Sequence, residues 1–161
     1  PRAAVAKFAM AGKDLPKKNM GLIFTSYGYI YVASINMGAN KGHALKAMIE
    51  AESYAGPSVI IAYSPCINHG IDMSKSPAEA KKAADSGYWP LYRFDPRLVG
   101  QGKNPFQWDS SEPSIAFKDY ILNEVRYKSL SIENPLRAEK LYKEAEKDAK
   151  DRFDHYKHLA E

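Results

Sequence analysis

One cysteine, Cys66, is all that these 161 residues contain. A single thiol excludes an internal disulfide framework, and it excludes a zinc or iron–sulfur centre built from this chain's cysteines alone. No apolar run approaches the about 20 residues that a membrane helix needs. The sequence therefore reads as a soluble chain, and a lone thiol suits a reducing compartment such as the cytoplasm, with an organelle left open. No glycine-rich phosphate loop of Rossmann or P-loop spacing occurs. Histidine is scarce, with four in all. His155 and His158 lie three apart on one helical face, but no carboxylate or cysteine stands in place beside them, so they read as solvated side chains rather than a zinc pair. The positive excess is only +4. It is spread over Arg2, Lys7, Lys13, Lys17 and Lys18 without interleaved aromatics, which matches no nucleic-acid motif and fits a solvated basic surface that could attract an acidic partner.

What is present is enough for a packed core: 45% of the residues are hydrophobic, and the length is that of one domain. The chain starts at Pro1 without a methionine, which reads as a piece of something longer. Asn19 is placed to cap a short helix through Leu22, Ile23 and Phe24, with Gly28 ending it in the left-handed conformation. Tyr29 to Ile35 is aromatic and β-branched and predicts a strand. A Gly/Asn loop follows, then apolar residues at helical spacing from His43 to Ala55, stopped by Gly56-Pro57. Ser58 to Tyr63 predicts a second strand, and its unbroken Val-Ile-Ile-Ala run implies burial on both faces, as in a parallel sheet.

A helix over Pro77–Asp85 and an extended segment over Tyr88–Phe94 complete an alternating order. Crossover connections then imply a three-layer α/β fold with a parallel sheet, the first two strands being neighbours or near-neighbours. Asp95 to Pro113 is rich in Pro, Gly, Asn and Asp and predicts an irregular arm anchored by Phe106 and Trp108. Phe117–Val125 reads as a brief helix. In the tail, Asn134 is a cap and Pro135 the first helical residue; Ala138, Leu141, Ala145, Ala149, Phe153, Tyr156 and Ala160 form one narrow stripe, expected to pack within the chain. The resulting division is residues 1–98, an α/β unit, and 99–161, an extension made of the arm and a long helix over 134–160.

Cys66 follows directly on the second strand, in Ser64-Pro65-Cys66-Ile67-Asn68-His69-Gly70. Open α/β sheets keep their ligands at the carboxyl ends of strands. Three readings stay open on these residues alone: an inert core thiol, a nucleophile, or one ligand of a site completed by other polypeptide. His69 is too close in sequence to make a natural base for a Cys66 nucleophile. Lys103-Asn104-Pro105 reads as a turn held by Asn-Pro chemistry.

Ala4–Lys13, Ser26–Ala33, Tyr54–Gly70, Ser86–Leu98 and Gly102–Gln107 together resemble the C-terminal region of the pyruvate:ferredoxin oxidoreductases. The likeness is specific from about Pro1 to Asp109 and general in the charged tail. It implies the rear half of a thiamine diphosphate-binding domain. The parent would oxidatively decarboxylate pyruvate with coenzyme A to acetyl-CoA and carbon dioxide, passing electrons through 4Fe-4S clusters to ferredoxin or flavodoxin. It also implies that Cys66 is the last ligand of the cluster nearest the thiamine, and that the parent is a homodimer. In that family the diphosphate and Mg2+ are held by a Gly-Asp-Gly segment and a later asparagine. This chain has no Gly-Asp-Gly, so those residues are expected upstream of Pro1, and the piece alone is expected to be inactive. Two rivals remain: a related oxidoreductase with another 2-oxo acid or an NADPH-linked acceptor, and a non-catalytic interaction module, which a large exposed apolar stripe on the tail helix would favour.

Overall fold

The computed structural model describes all of residues 1–161. Asn19 caps α1 (Met20–Thr25) by accepting from the Leu22 N–H at 3.2 Å, and Gly28 turns the chain out with φ +75°. The strand β1 (Tyr31–Ile35) follows, every residue of it buried. Its pleat sorts side chains onto two faces. Tyr31, Ala33 and Ile35 meet Ala44 and Ala47 of α2 (Lys41–Ser53), while Val32 meets Tyr92, Phe106 and Tyr156 on the other side. The strand β2 (Ser58–Ala62) lies parallel to β1 in register Tyr31 with Ser58, as anticipated. Helix, sheet and helix make the three layers.

The sheet is not parallel throughout. Its order is β2-β1-β3-β4, and β3 (Tyr92–Phe94) runs antiparallel to β1, as β4 (Phe106–Trp108) does to β3. The cause lies in where α3 (Ser76–Asp85) docks. Instead of lying along the sheet as a crossover helix, it sits beyond the carboxyl end of β1, where the Asn36 amide donates to the Ala80 carbonyl. The Trp89 indole then donates to the Ile35 carbonyl at 3.0 Å, and the Ser34 hydroxyl to the Pro90 carbonyl at 2.8 Å. A chain pinned at that end can only run back along β1.

Two further expectations are corrected. The strand β2 is an edge, so Val59, Ile60 and Ile61 are half-exposed instead of buried on both faces. The arm expected to be irregular contains a 3₁₀ helix (Pro96–Gln101) and β4, a three-residue strand too short to leave a periodic signal. Its predicted anchors hold: Phe106 is buried, and Trp108 meets the Phe153 ring edge-on at 4.8 Å. Asn104 makes the expected turn, accepting from the Phe106 N–H at 2.9 Å.

The last third is helical: α4 (Phe117–Ile121), α5 (Val125–Glu133), which the sequence reading did not separate from loop, and α6 (Pro135–Leu159). Asn134 caps α6 through the Arg137 N–H at 3.1 Å. The α6 stripe packs within the chain. Its first half joins Tyr120, Ile121, Tyr127 and Leu130 in one core, and Tyr156 joins the sheet core with Tyr92 and Phe106. Arg2 ties the amino-terminal segment to α6 through Glu144 and Asp148.

Candidate functional site

Past β2 the Tyr63 N–H still donates to the Ile35 carbonyl, and Cys66 then opens a 3₁₀ turn over Ile67–His69. The His69 N–H closes this turn on the Cys66 carbonyl at 2.9 Å, and the Gly70 N–H closes on that of Ile67. Gly70 has φ +73°, and a Cβ built on it would lie 2.3 Å from Cβ of Val125. Only glycine meets both conditions at once. The thiol is half-buried and the Ile67 side chain beside it is 73% exposed, so the turn presents Cys66 at the surface. The Ile67 and Asn68 N–H groups donate to no backbone carbonyl.

A buried carboxylate braces this turn. Glu124, with no exposed surface, stands at the amino end of α5. One of its oxygens lies 3.4 Å from Nδ1 of His69, 3.3 Å from the Tyr120 hydroxyl and 3.4 Å from the Tyr63 hydroxyl, and accepts from whichever of the two does not donate to the other; the second oxygen accepts from Nε of Arg126. Tyr63 and Tyr120 also bond to each other at 2.9 Å. Exit of β2, turn, α4 and α5 thus meet on one charged group, whose desolvation Arg126 offsets. Burial, then the Arg126 charge, holds the His69 imidazole below its ordinary range, against the opposing pull of Glu124. Sequence reading missed Glu124 and Arg126. The only trace was a Glu-Val-Arg at the end of the expected Phe117–Val125 helix, indistinguishable from solvated charge.

The remaining candidates fall elsewhere. His43 is buried on α2, with Nε2 3.1 Å from Asp109, in a network where Arg93 bridges Asp109 and Glu50. The Tyr31 hydroxyl donates to Glu50 at 2.9 Å, which makes the network a joint between helix and sheet. His158 is exposed beside Glu161, and His155 leans toward Tyr156 at a ring separation of 6.3 Å. No group of three or more His, Cys, Asp or Glu side chains is arranged to hold a metal ion. Cys66 therefore has no companion ligands from this chain. No helix is long and apolar enough to cross a membrane.

No family model matches the chain. Among curated proteins, the pyruvate:ferredoxin oxidoreductase of Moorella thermoacetica is 56% identical over 158 residues, covering 98% of this chain and 14% of the relative. The pyruvate-flavodoxin oxidoreductase of Klebsiella pneumoniae is 48% identical over 162 residues, covering 99% of this chain and again 14% of the relative. The chain is homologous along its whole length to part of the pyruvate:ferredoxin/flavodoxin oxidoreductases. It spans about one seventh of the length of these curated relatives. A mitochondrial pyruvate dehydrogenase of Euglena gracilis named for NADP+ is 44% identical over 161 residues, 99% of this chain and 9% of that protein. These relatives are thus named for three different electron acceptors.

Proposed function

We propose that this chain is the part of a pyruvate-oxidising enzyme that supplies, through Cys66, one ligand of an iron–sulfur cluster lying beside a thiamine diphosphate site. The observation that carries the reading is the presentation of Cys66: a half-buried thiol on a braced turn past a strand end, with no co-ligand in its own chain. A cluster needs four thiolates, so this donor set fits only as one corner of a site closed by other polypeptide. Thiamine diphosphate with Mg2+, when bound in the parent, supplies the decarboxylation chemistry, and 4Fe-4S clusters accept the electrons singly while coenzyme A takes the acetyl group. This chain's own residues hold and orient. Cys66 offers a thiolate, the Ile67 and Asn68 N–H groups are free to donate toward sulfur and raise its potential, and Gly70 against Val125 fixes the turn. Ferredoxin or flavodoxin is the proposed acceptor and a homodimer the proposed assembly. The interaction-module alternative loses its support, because the apolar stripe of α6 is buried in cis.

In the full-length enzyme Cys66→Ala is expected to lower iron content and to remove or shift one cluster signal in electron paramagnetic resonance, with electron delivery to ferredoxin lost. An unchanged iron content and spectrum, with only a packing cost on the order of 1 kcal/mol, would show the thiol to be inert. A second expectation follows from the missing Gly-Asp-Gly. Titration calorimetry of the 161-residue chain with thiamine diphosphate and Mg2+ should give no binding heat, and micromolar affinity would place the cofactor residues within this chain.

A further inference from the structure

Three cations converge on a cleft outside the Cys66 region with no carboxylate among the residues that line it. The cleft lies between the Lys17–Gly21 segment, the Ser34/Ile61 face of the sheet and α6, and encloses about 80 Å³, several times the about 10–15 Å³ that one water requires. Lys17, Lys18 and Arg152 line it, and none of them forms an ion pair, although most other arginines of the chain do. Arg152 donates one bond to the Tyr88 carbonyl, leaving most of its fork unused. The Lys17 ammonium lies 4.5 Å from the centroid of the Trp89 ring. Although Lys17 as a residue is exposed, burial of its ammonium, followed by repulsion from Arg152 and Arg126, lowers its pKa to about 8. Positive charge is therefore gathered here without a protein counter-ion. Elsewhere in this chain partly buried arginines are neutralised, as Arg93 is by Glu50 and Asp109 and Arg126 by Glu124.

We propose that this cleft is a binding site for a phosphate group, with Lys17 and Arg152 as its principal contacts, Lys18 at its rim, and the Tyr156 hydroxyl in its wall. Arg presents a planar fork that matches phosphate oxygens, and Lys adds a point charge. Nothing in this assignment depends on Cys66. The phosphate is either free in solution or carried by a small aromatic molecule such as a nucleotide, for which the partly exposed Trp89 offers a ring.

The test uses the full-length protein, titrated calorimetrically with inorganic phosphate and separately with adenosine monophosphate. Expected is a binding step that weakens about tenfold, or 1.4 kcal/mol, in Lys17→Met and again in Arg152→Met, and that Lys17→Arg largely retains. Tighter binding of adenosine monophosphate than of phosphate assigns a nucleotide-like source, and equal or weaker binding assigns the free anion; both support the site. Equal binding of acetate, or phosphate binding unchanged in both variants, overturns it. Because a variant could fail to fold, wild-type crystals soaked in phosphate supply an independent arm, and soaked crystals with no density against Lys17 and Arg152 also overturn the proposal.

Discussion

Arg93→Leu is expected to destabilise the fold by about 3 kcal/mol, at the lower end of the about 3–5 kcal/mol that follows removal of one partner from a buried ion pair. Its side chain is 8% exposed and makes bidentate contacts on two sides, with Glu50 of α2 at 2.8 and 2.9 Å and with Asp109 beyond β4 at 2.8 and 2.9 Å. Leucine fills most of the volume but leaves two half-buried carboxylates facing each other. The lower figure applies because Glu50 and Asp109 are still about one-fifth exposed, so water recovers part of the loss. The pH dependence is a second signature. Burial pushes Asp109 upward, but hydrogen bonds from His43 and Arg93 outweigh it and leave the carboxyl below its ordinary range. A carboxylate depressed in the folded state contributes stability that is present above its unfolded value, about 3.9, and is lost as pH falls through the folded value. The penalty of Arg93→Leu should therefore be full at neutral pH and shrink as the pH falls into the carboxylate range, where Asp109, no longer held down by Arg93, takes up a proton. Denaturant titrations at neutral pH and within that range, followed by Trp89 and Trp108 fluorescence, measure it. A penalty that does not change with pH would show that Arg93 acts through packing alone.

Gly70→Ala is expected to cost about 2–5 kcal/mol, the sum of about 1–2 for an L-residue held in the left-handed region and about 1–3 for overpacking. The new methyl would stand 2.3 Å from Cβ of Val125, a backbone-fixed atom that cannot swing away, so α5 or the turn must move. The two contributions separate in a double-mutant cycle. Val125→Ala cannot relieve the first and only partly relieves the second, so the pair should recover little. Val125→Gly removes the contacting atom and should recover most of the overpacking at the price of helix propensity. Since Cys66 lies four residues before Gly70 on the same turn, exposure of its thiol should change as well, read as a faster reaction with a thiol reagent. A cost below about 0.5 kcal/mol, the level of an ordinary surface substitution, would show that the turn has slack.

Local chemistry and long-range chemistry divide these residues cleanly. The Asn19 and Asn134 caps, the left-handed Gly28, the strand over Tyr31–Ile35 and the α6 stripe are each decided by side chains within a few positions of one another. Their propensities and packing agree, and all stand where expected, the strand starting at Tyr31 instead of Tyr29. Cys66 at the end of a strand is of the same kind. The direction of β3 is not. Tyr92–Phe94 reads the same run either way, and only the docking of α3 beyond β1, together with the Trp89 and Ser34 bonds, turns it antiparallel.

The brace behind Cys66 was equally illegible, because Glu124 takes its meaning from Tyr63, 61 residues earlier. A charged residue in a list of charged residues carries no sign of being buried; its neighbours in space supply that. The same holds for the cleft of Lys17 and Arg152, which come together only because α6 runs past the sheet. The sequence by itself determined the element types, their caps and the place of the one thiol, since those rest on contacts within a turn or two. Sheet direction, the buried Glu124 and the unpaired cations were decided by tertiary structure, because each is a relation between residues that only folding brings within reach.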